Sequence, residues 1–311
     1  MKSSRPFAAL GLMATTVIGL LPAGLRAAES PAVFNRQNLV AWCIVPFDAK
    51  KRSPSERAEM LGRVGMGKVA YDWRQEHVPQ FEAEILEYRK HGLEYFAFWG
   101  AQEGAFRLFE KYQLHPQLWI TAPSPAGATD GERLQLSVER LLPLVERVRQ
   151  LGCKLALYNH GGWGGEPENL VALCQYLRTH HQADHVGIVY NLHHGHGQVD
   201  RFPAALAAMK PYLLCLNLDG MTRDGDKRGK KILALGQGEF DLTILRAIRD
   251  SGYSGPLGLI GHTPDDDVED RLRDNLDGLD WLVAQLDGQP AGPKPALRAA
   301  GSHGYSPPPK K

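Results

Sequence analysis

The sequence has little cysteine and almost no net charge. Its 311 residues include four cysteines, none in a CxxC spacing: Cys43, Cys153, Cys174 and Cys215. This usage indicates neither a zinc ribbon nor a disulfide framework, and it favours buried thiols. The formal net charge of +1 provides no bulk attraction to nucleic acid or to an anionic membrane. We therefore expect no nucleic-acid partner.

A nucleotide-binding loop is also lacking. Residues 161–165 form a glycine-rich stretch, but it has neither the lysine nor the spacing of a P-loop. We therefore expect no nucleotide cofactor, and we interpret these glycines as permitting a tight turn under Trp163.

The two ends of the chain differ from the middle. Residues 1–27 combine a short basic start, an apolar stretch and small residues, which predicts a signal peptide and export to the periplasm or the medium. A retained membrane anchor is the alternative, because about 20 apolar residues just span a bilayer. After cleavage we expect no membrane span. Residues 288–311 are rich in Pro, Gly, Ala and Lys without periodicity, which predicts a disordered tail.

Between these ends, apolar runs of strand length alternate with amphipathic stretches of helix length. The predicted strands cover residues 39–46, 66–72, 93–99, 117–121, 154–158, 186–191, 213–218 and 257–261. Eight β-then-α units in one chain of this size predict an α/β fold, a single (β/α)₈ TIM barrel over residues 38–287. Its active site is expected at the carboxyl ends of the strands.

Several motifs carry a family resemblance. They are the fifth strand end LALYNHGGW, the sixth strand end GIVYNLHHGH, the stretch LGQGEFDLTILRAIRDSGYSGPLGL and the late DNLDGLDWL. In these motifs the chain resembles the xylose isomerase-like TIM barrels, a group of sugar isomerases and epimerases with an endonuclease branch. The resemblance implies a divalent ion held by Glu, Asp, His and Glu at the ends of strands five to eight.

The ligand positions implied by the resemblance are not retained. They fall on Tyr158, Asn191, Asn217 and Ile260. Tyrosine and isoleucine are not credible ligands here, and the asparagines offer only neutral carbonyl oxygens.

A second set of polar residues lies two positions beyond each of these. It consists of His160, His193, Asp219 and His262. A two-residue step keeps the same side of a strand, so we hypothesise that one divalent ion (Zn, Mn, Fe or Co) is bound one layer further out. The alternative is that these side chains only hydrogen-bond to and stack on a sugar.

Other residues near the strand ends suit a carbohydrate. Indole faces pack against the apolar face of a sugar ring, although core packing explains some of these tryptophans equally well. The predicted substrate-binding residues are Trp73, Trp99, Tyr158, Asn159, Trp163, Asn191 and Asn217. The resemblance places His194 near the substrate. Asp72 and Arg74 follow strand two, where they either orient a hydroxyl or form a surface ion pair.

The resemblance implies chemistry that begins with removal of a proton next to a carbonyl of a sugar or keto-sugar. His160, His194 and Asp219 are the predicted catalytic residues, with a bound ion or His262 stabilising the oxyanion. Isomerisation or epimerisation is the first interpretation. A lyase acting on 3-keto-glycosides and a non-catalytic sugar-binding barrel remain alternatives, and an endonuclease is disfavoured by the near-neutral charge.

Overall fold

The computed structural model describes residues 32–307 together with Met1. Eight parallel strands form a closed barrel in chain order, and the last strand pairs with the first. The strands are β1 Leu39–Trp42, β2 Lys68–Tyr71, β3 Glu94–Trp99, β4 Gln117–Thr121, β5 Lys154–Tyr158, β6 Val186–Asn191, β7 Leu213–Leu218 and β8 Leu257–Ile260. The prediction of a single (β/α)₈ barrel is confirmed.

One α-helix follows each strand. The helices are α1 Pro54–Val64, α2 Phe81–Lys90, α3 Glu103–Tyr112, α4 Asp130–Gln150, α5 Pro167–His181, α6 Phe202–Met209, α7 Asp241–Asp250 and α8 Val268–Leu286. Local sequence sets their ends: Ser53 and Glu56 form a capping box at the start of α1, and Gly65 ends it with a φ of 77°. A buried ion pair between Arg57 and Glu84 joins α1 to α2.

The barrel interior is filled by alternate residues of each strand, as the period of two requires. Large side chains such as Trp42 and Trp119 pack there beside small ones such as Ala70 and Ala156. Gly258 shows how tight this packing is, because a Cβ atom at that position would lie 1.8 Å from Oδ1 of Asn217. The interior is therefore a packed core, and the space for a ligand lies above it.

The first strand is shorter than predicted. We expected it to extend to residue 46, but β1 ends at Trp42. The next residue, Cys43, has a φ of 58°, a left-handed conformation that takes the chain out of the sheet. This turn brings the segment after β1 over the top of the barrel.

Residues 288–307, for which the sequence predicts disorder, contact the barrel at several points in the structure. Ser302 accepts a hydrogen bond from the buried guanidinium of Arg271, and Tyr305 forms an antiparallel bridge with Ile232. The carboxylate of Asp274 accepts backbone hydrogen bonds from residues 298 and 299. Side-chain partners thus hold a segment that lacks periodicity, which is why the sequence pattern gave no sign of order.

Two further predictions concern the ends and the cysteines. The predicted signal peptide, residues 1–27, lies outside the described residues apart from Met1. Within residues 32–307, no helix is both long enough and apolar enough to cross a membrane. All four cysteines lie in the described part of the chain, where each is buried and has a free thiol, as the sequence favoured.

Candidate active site

A cavity of about 1080 Å³ opens at the carboxyl ends of the strands. Strand-end residues and the loops that follow them form its walls, which is where parallel barrels carry their sites. Seven of the predicted site residues line it: Trp73, Trp99, Tyr158, His160, His193, His194 and His262.

One side of the cavity is aromatic. Trp42 ends β1 and Trp99 ends β3, and their ring centroids are 5.8 Å apart. Trp99 also meets Tyr158 edge to face at 4.9 Å. The indole N–H of Trp73 donates to the carbonyl of Trp99 at 2.7 Å, which fixes its ring beside the cavity. We call Trp42, Trp73, Trp99 and Tyr158 the aromatic wall.

Another part of the cavity is formed by four imidazoles, which we call the histidine cluster: His160, His193, His194 and His262. Ring centroids are 4.6 Å apart for His160 and His194, 3.8 Å for His194 and His193, and 6.0 Å for His193 and His262. Phe47 packs against His262 at 3.7 Å. The loops after β5, β6 and β8 supply the cluster, so strand order brings the rings together.

Three rings of the histidine cluster are held neutral. Burial lowers the pKa of His193 and His194 well below the usual value, and the positive charge of neighbouring groups lowers it further. Burial, assisted by Arg74 and Lys231, lowers the pKa of His262 to about 3. Neutral imidazoles at this edge of the cavity are hydrogen-bond donors and acceptors that accept a proton poorly at neutral pH.

Asp219, which was predicted as a catalytic residue and as a metal ligand, is not among the residues that line the cavity. Its side chain is fully buried beneath the loop after β7. Oδ1 accepts a hydrogen bond from the backbone N–H of Leu233 at 3.2 Å, and Oδ2 lies 3.5 Å from Nε2 of His196. Asp219 is thus engaged in holding this loop.

His196 is the residue that holds Asp219. Nδ1 lies 2.8 Å from the carbonyl oxygen of Thr222, and Nε2 lies 2.8 Å from that of Lys231. Because carbonyl oxygens only accept hydrogen bonds, these contacts favour the ring with both nitrogens protonated. Burial lowers the pKa of His196, but the hydrogen bonds to Asp219 and to the two carbonyls outweigh burial and raise this pKa above its usual value.

The inner positions, where the resemblance implied a metal, do not fit a divalent ion. The side-chain amide of Asn191 donates to the hydroxyl of Tyr158 at 2.5 Å, and burial raises the pKa of that phenol, so it stays protonated. Oδ1 of Asn217 accepts from the thiol of Cys215, and Ile260 is buried in the barrel interior. No carboxylate or imidazole stands at these four positions.

The outer set does not fit a metal either. Of the predicted ligands His160, His193, Asp219 and His262, the only carboxylate is paired elsewhere. Across residues 32–307, no three His, Cys, Asp or Glu side chains are grouped so as to hold a metal ion. The hypothesis of a metal shifted one layer outward therefore lacks a supporting geometry.

The remaining predicted sugar-binding residues lie outside this cavity. Asn159 bridges the ends of β5 and β6 through the backbone N–H and carbonyl of Asn191. Trp163 lines a separate, shallow groove, where its indole N–H donates to Asp130 at 2.9 Å. Asn191 and Asn217 are fully buried beneath the cavity, so they support its floor.

The structure adds residues that had little or no predicted role. Asp72 and Arg74 both line the cavity, and so does Lys231 from the loop after β7. The guanidinium of Arg74 lies 5.2 Å above the ring of Phe47. Asp72 had a usable signal, because it is the first polar residue after the apolar strand β2.

The family model described as "Xylose isomerase-like TIM barrel" matches residues 103–285. A comparison with curated protein sequences gives no significant match.

Solved structures share the fold at low identity. The 3-keto-D-glucoside 4-epimerase of E. coli is 14% identical with a TM-score of 0.59, covering 79% of this chain and 98% of its own. The IolI protein with a bound zinc atom is 14% identical with a TM-score of 0.63, covering 80% and 99%. The D-psicose 3-epimerase of Clostridium cellulolyticum, solved with D-tagatose, is 12% identical with a TM-score of 0.55, covering 79% and 98%.

Proposed function

Because the chain belongs to the xylose isomerase-like TIM barrel family, we propose that it is a carbohydrate-active enzyme of the sugar isomerase or epimerase type. Its reaction removes a proton from a carbon next to the carbonyl of a sugar or keto-sugar. The observation that carries this proposal is the cavity at the strand ends, where aromatic rings and neutral imidazoles meet.

The aromatic wall supports a sugar as the ligand. Trp73 and Trp99 are half-buried, so each ring keeps an exposed part within the cavity. An indole ring offers an apolar face to the C–H groups of a pyranose, while the sugar hydroxyls remain available to polar partners. Arg74 and Lys231 supply donors for such hydroxyls or for a carboxylate of an oxidised sugar.

The histidine cluster supports chemistry at a carbonyl. Proton loss beside a carbonyl places negative charge on its oxygen, and donors held ready in a buried site stabilise that charge. His193 and His194 are neutral and buried or half-buried, so their N–H groups can donate without a competing positive charge of their own. A neutral imidazole can polarise the carbonyl through its N–H group and so favour formation of the enediolate. We assign no metal to this step.

Hydrogen exchange tests the proposal directly. The protein is incubated in D₂O with aldoses, ketoses and 3-keto-glucosides, and NMR follows loss of the C–H signal next to the carbonyl. The proposal expects exchange together with an isomeric product for at least one probe. Exchange with loss of a leaving group would instead indicate elimination on 3-keto-glycosides. Sugar binding without any exchange would leave a sugar-binding barrel as the function.

Export remains part of the proposal. We propose that residues 1–27 direct the chain out of the cytoplasm, since their basic, apolar and small-residue regions follow in the order of a signal peptide. Mass spectrometry of the protein purified from cell fractions tests this. A mature form starting near residue 28 in the periplasm or medium is expected, and an intact N-terminus in the cytoplasm would contradict it.

A further inference from the structure

The cavity is lined by carboxylates as well as imidazoles. Among the described residues, two carboxylates line it, Asp72 and Asp226. Asp226 is exposed on the loop after β7. Asp72 directly follows β2 and is 2% exposed. The two carboxylates therefore differ sharply in their environment, and Asp72 alone is sheltered from solvent.

Only one of the two carboxylate oxygens of Asp72 has a hydrogen-bond partner among the described residues. Its Oδ1 accepts a hydrogen bond of 3.3 Å from the backbone N–H of Val45, which ties β2 to the segment after β1. Within the described chain, its buried Oδ2 has no hydrogen-bond partner. A buried carboxylate oxygen without a donor is costly, and a ligand that enters the cavity can supply the missing donor.

The electrostatic setting of Asp72 suits proton transfer. Burial raises the pKa of this carboxyl to about 6, although Arg74 and the Val45 hydrogen bond act in the opposite direction. The group is then mostly ionised at neutral pH and still able to hold a proton during a reaction. By contrast, His193, His194 and His262 accept a proton poorly. His196 also lines the cavity, but its imidazole is engaged by Asp219.

We propose that Asp72 is a catalytic acid–base group of this site and that it moves one proton between adjacent carbons of the substrate. The inference rests on the proposed function and names the residue and the reaction type. The carboxylate of Asp72 takes the proton from the carbon next to the carbonyl. The electron pair of that C–H bond forms the C=C bond of an enediolate, and the carbonyl π pair moves to oxygen.

The second half of the reaction returns the same proton. The first carbonyl oxygen, now negatively charged and stabilised by N–H donors of the histidine cluster, takes the proton of the neighbouring hydroxyl. The oxygen that lost this proton forms the new carbonyl on its own carbon. The protonated Asp72 delivers its proton to the first carbonyl carbon. Because one base reaches one face of the enediolate, the product is an aldose–ketose isomer. Inversion at a single carbon would need a second base on the opposite face.

The test compares Asp72→Asn with Asp226→Asn. Asparagine keeps the shape of Asp72 and the acceptor for Val45, and it removes a buried charge, so we expect the variant to fold and to keep its thermal midpoint. NMR in D₂O measures exchange next to the carbonyl, and tryptophan fluorescence measures sugar affinity. Asp72→Asn should lose at least about 100-fold in exchange rate, within the range for removal of a general base, while sugar affinity changes less than about 3-fold. Asp226→Asn should retain exchange.

A label experiment tests the single-base part. With substrate deuterated next to the carbonyl in H₂O, part of the deuterium should appear on the neighbouring carbon of the product. Retained exchange in Asp72→Asn, loss of exchange in Asp226→Asn instead, or inversion at one carbon without any transfer of label would overturn the inference while leaving the proposed function standing. Absence of exchange by the wild-type protein with every probe defeats both.

Discussion

Oδ2 of Asp219 and Nε2 of His196 lie 3.5 Å apart, both in side chains that are almost fully buried. The imidazole also reaches the carbonyl oxygens of Thr222 and Lys231. Lys231 lines the cavity, so this buried pair sets the position of one of its walls. A paired charge of this kind stabilises the loop after β7 only while the imidazole is protonated.

Stability should therefore depend on the protonation of His196. Its pKa is raised in the folded protein, so its contribution is fully present below the unfolded value of about 6.5 and is lost as pH rises through the folded pKa. Thermal midpoints measured from pH 5 to pH 9 should fall in the upper part of this range. In His196→Gln the thermal midpoint should decrease less as pH rises. His180→Gln, on the exposed surface of α5, should show the same decrease as the wild-type protein. Parallel curves for all three proteins would contradict the assignment.

Metal removal should not abolish turnover. The positions implied by the family carry Tyr158, Asn191, Asn217 and Ile260, and among residues 32–307 no alternative group of ligands is formed. After dialysis against EDTA, we expect exchange in D₂O to persist, and added Mn²⁺ or Zn²⁺ should leave its rate unchanged. Elemental analysis showing one tightly bound ion per chain, together with loss of turnover in chelator, would refute this expectation.

The aromatic wall should determine sugar affinity. Removing the Trp99 ring takes away an apolar face and the edge contact with Tyr158. For Trp99→Ala we expect at least about 10-fold weaker sugar binding, or about 1.4 kcal/mol, measured by calorimetric titration. Trp163→Ala is the matched control, because its ring lines a separate groove. Equal losses in the two variants would show that the sugar does not sit at the wall.

The segment after α8 should contribute to global stability. Arg271 is fully buried, and the hydroxyl of Ser302 accepts a hydrogen bond of 2.8 Å from its guanidinium. Ser302→Ala leaves a buried charged donor without this acceptor, which costs about 2 kcal/mol in urea unfolding. The exposed Ser254→Ala should change the free energy of unfolding very little. A neutral result for Ser302→Ala would mean that water replaces the hydroxyl.

The sequence predicted the barrel well because buried parallel strands are nearly continuous apolar runs. The bounds of β5, Lys154–Tyr158, agree with the prediction residue for residue. The end of β1 was missed, since nothing in the sequence reveals the left-handed backbone at Cys43. The general rule that polar groups collect at strand ends thus located the site. The exact strand ends depended on backbone conformations that the sequence does not reveal.

Individual site residues were harder to predict. The two-residue step that placed Asp219 beside His160 assumes strand geometry, but β7 ends at Leu218. The carboxylate of Asp219 instead contacts Leu233, 14 residues later in the chain, and His196, 23 residues earlier. Such partners are distant in sequence and give no local pattern. Hydrogen bonds across loops, more than strand register, decided which predicted residues reach the cavity.

The hydrogen bond between Asn191 and Tyr158 has an evolutionary consequence. A carboxylate at position 158 alone would remove the phenol to which Asn191 donates, and a change at 191 alone would remove this hydrogen bond from a buried hydroxyl. Each single substitution passes through a less stable protein, so the two positions are epistatic. Exchange between these neutral side chains and a charged, ion-binding set at the same positions therefore requires paired substitutions.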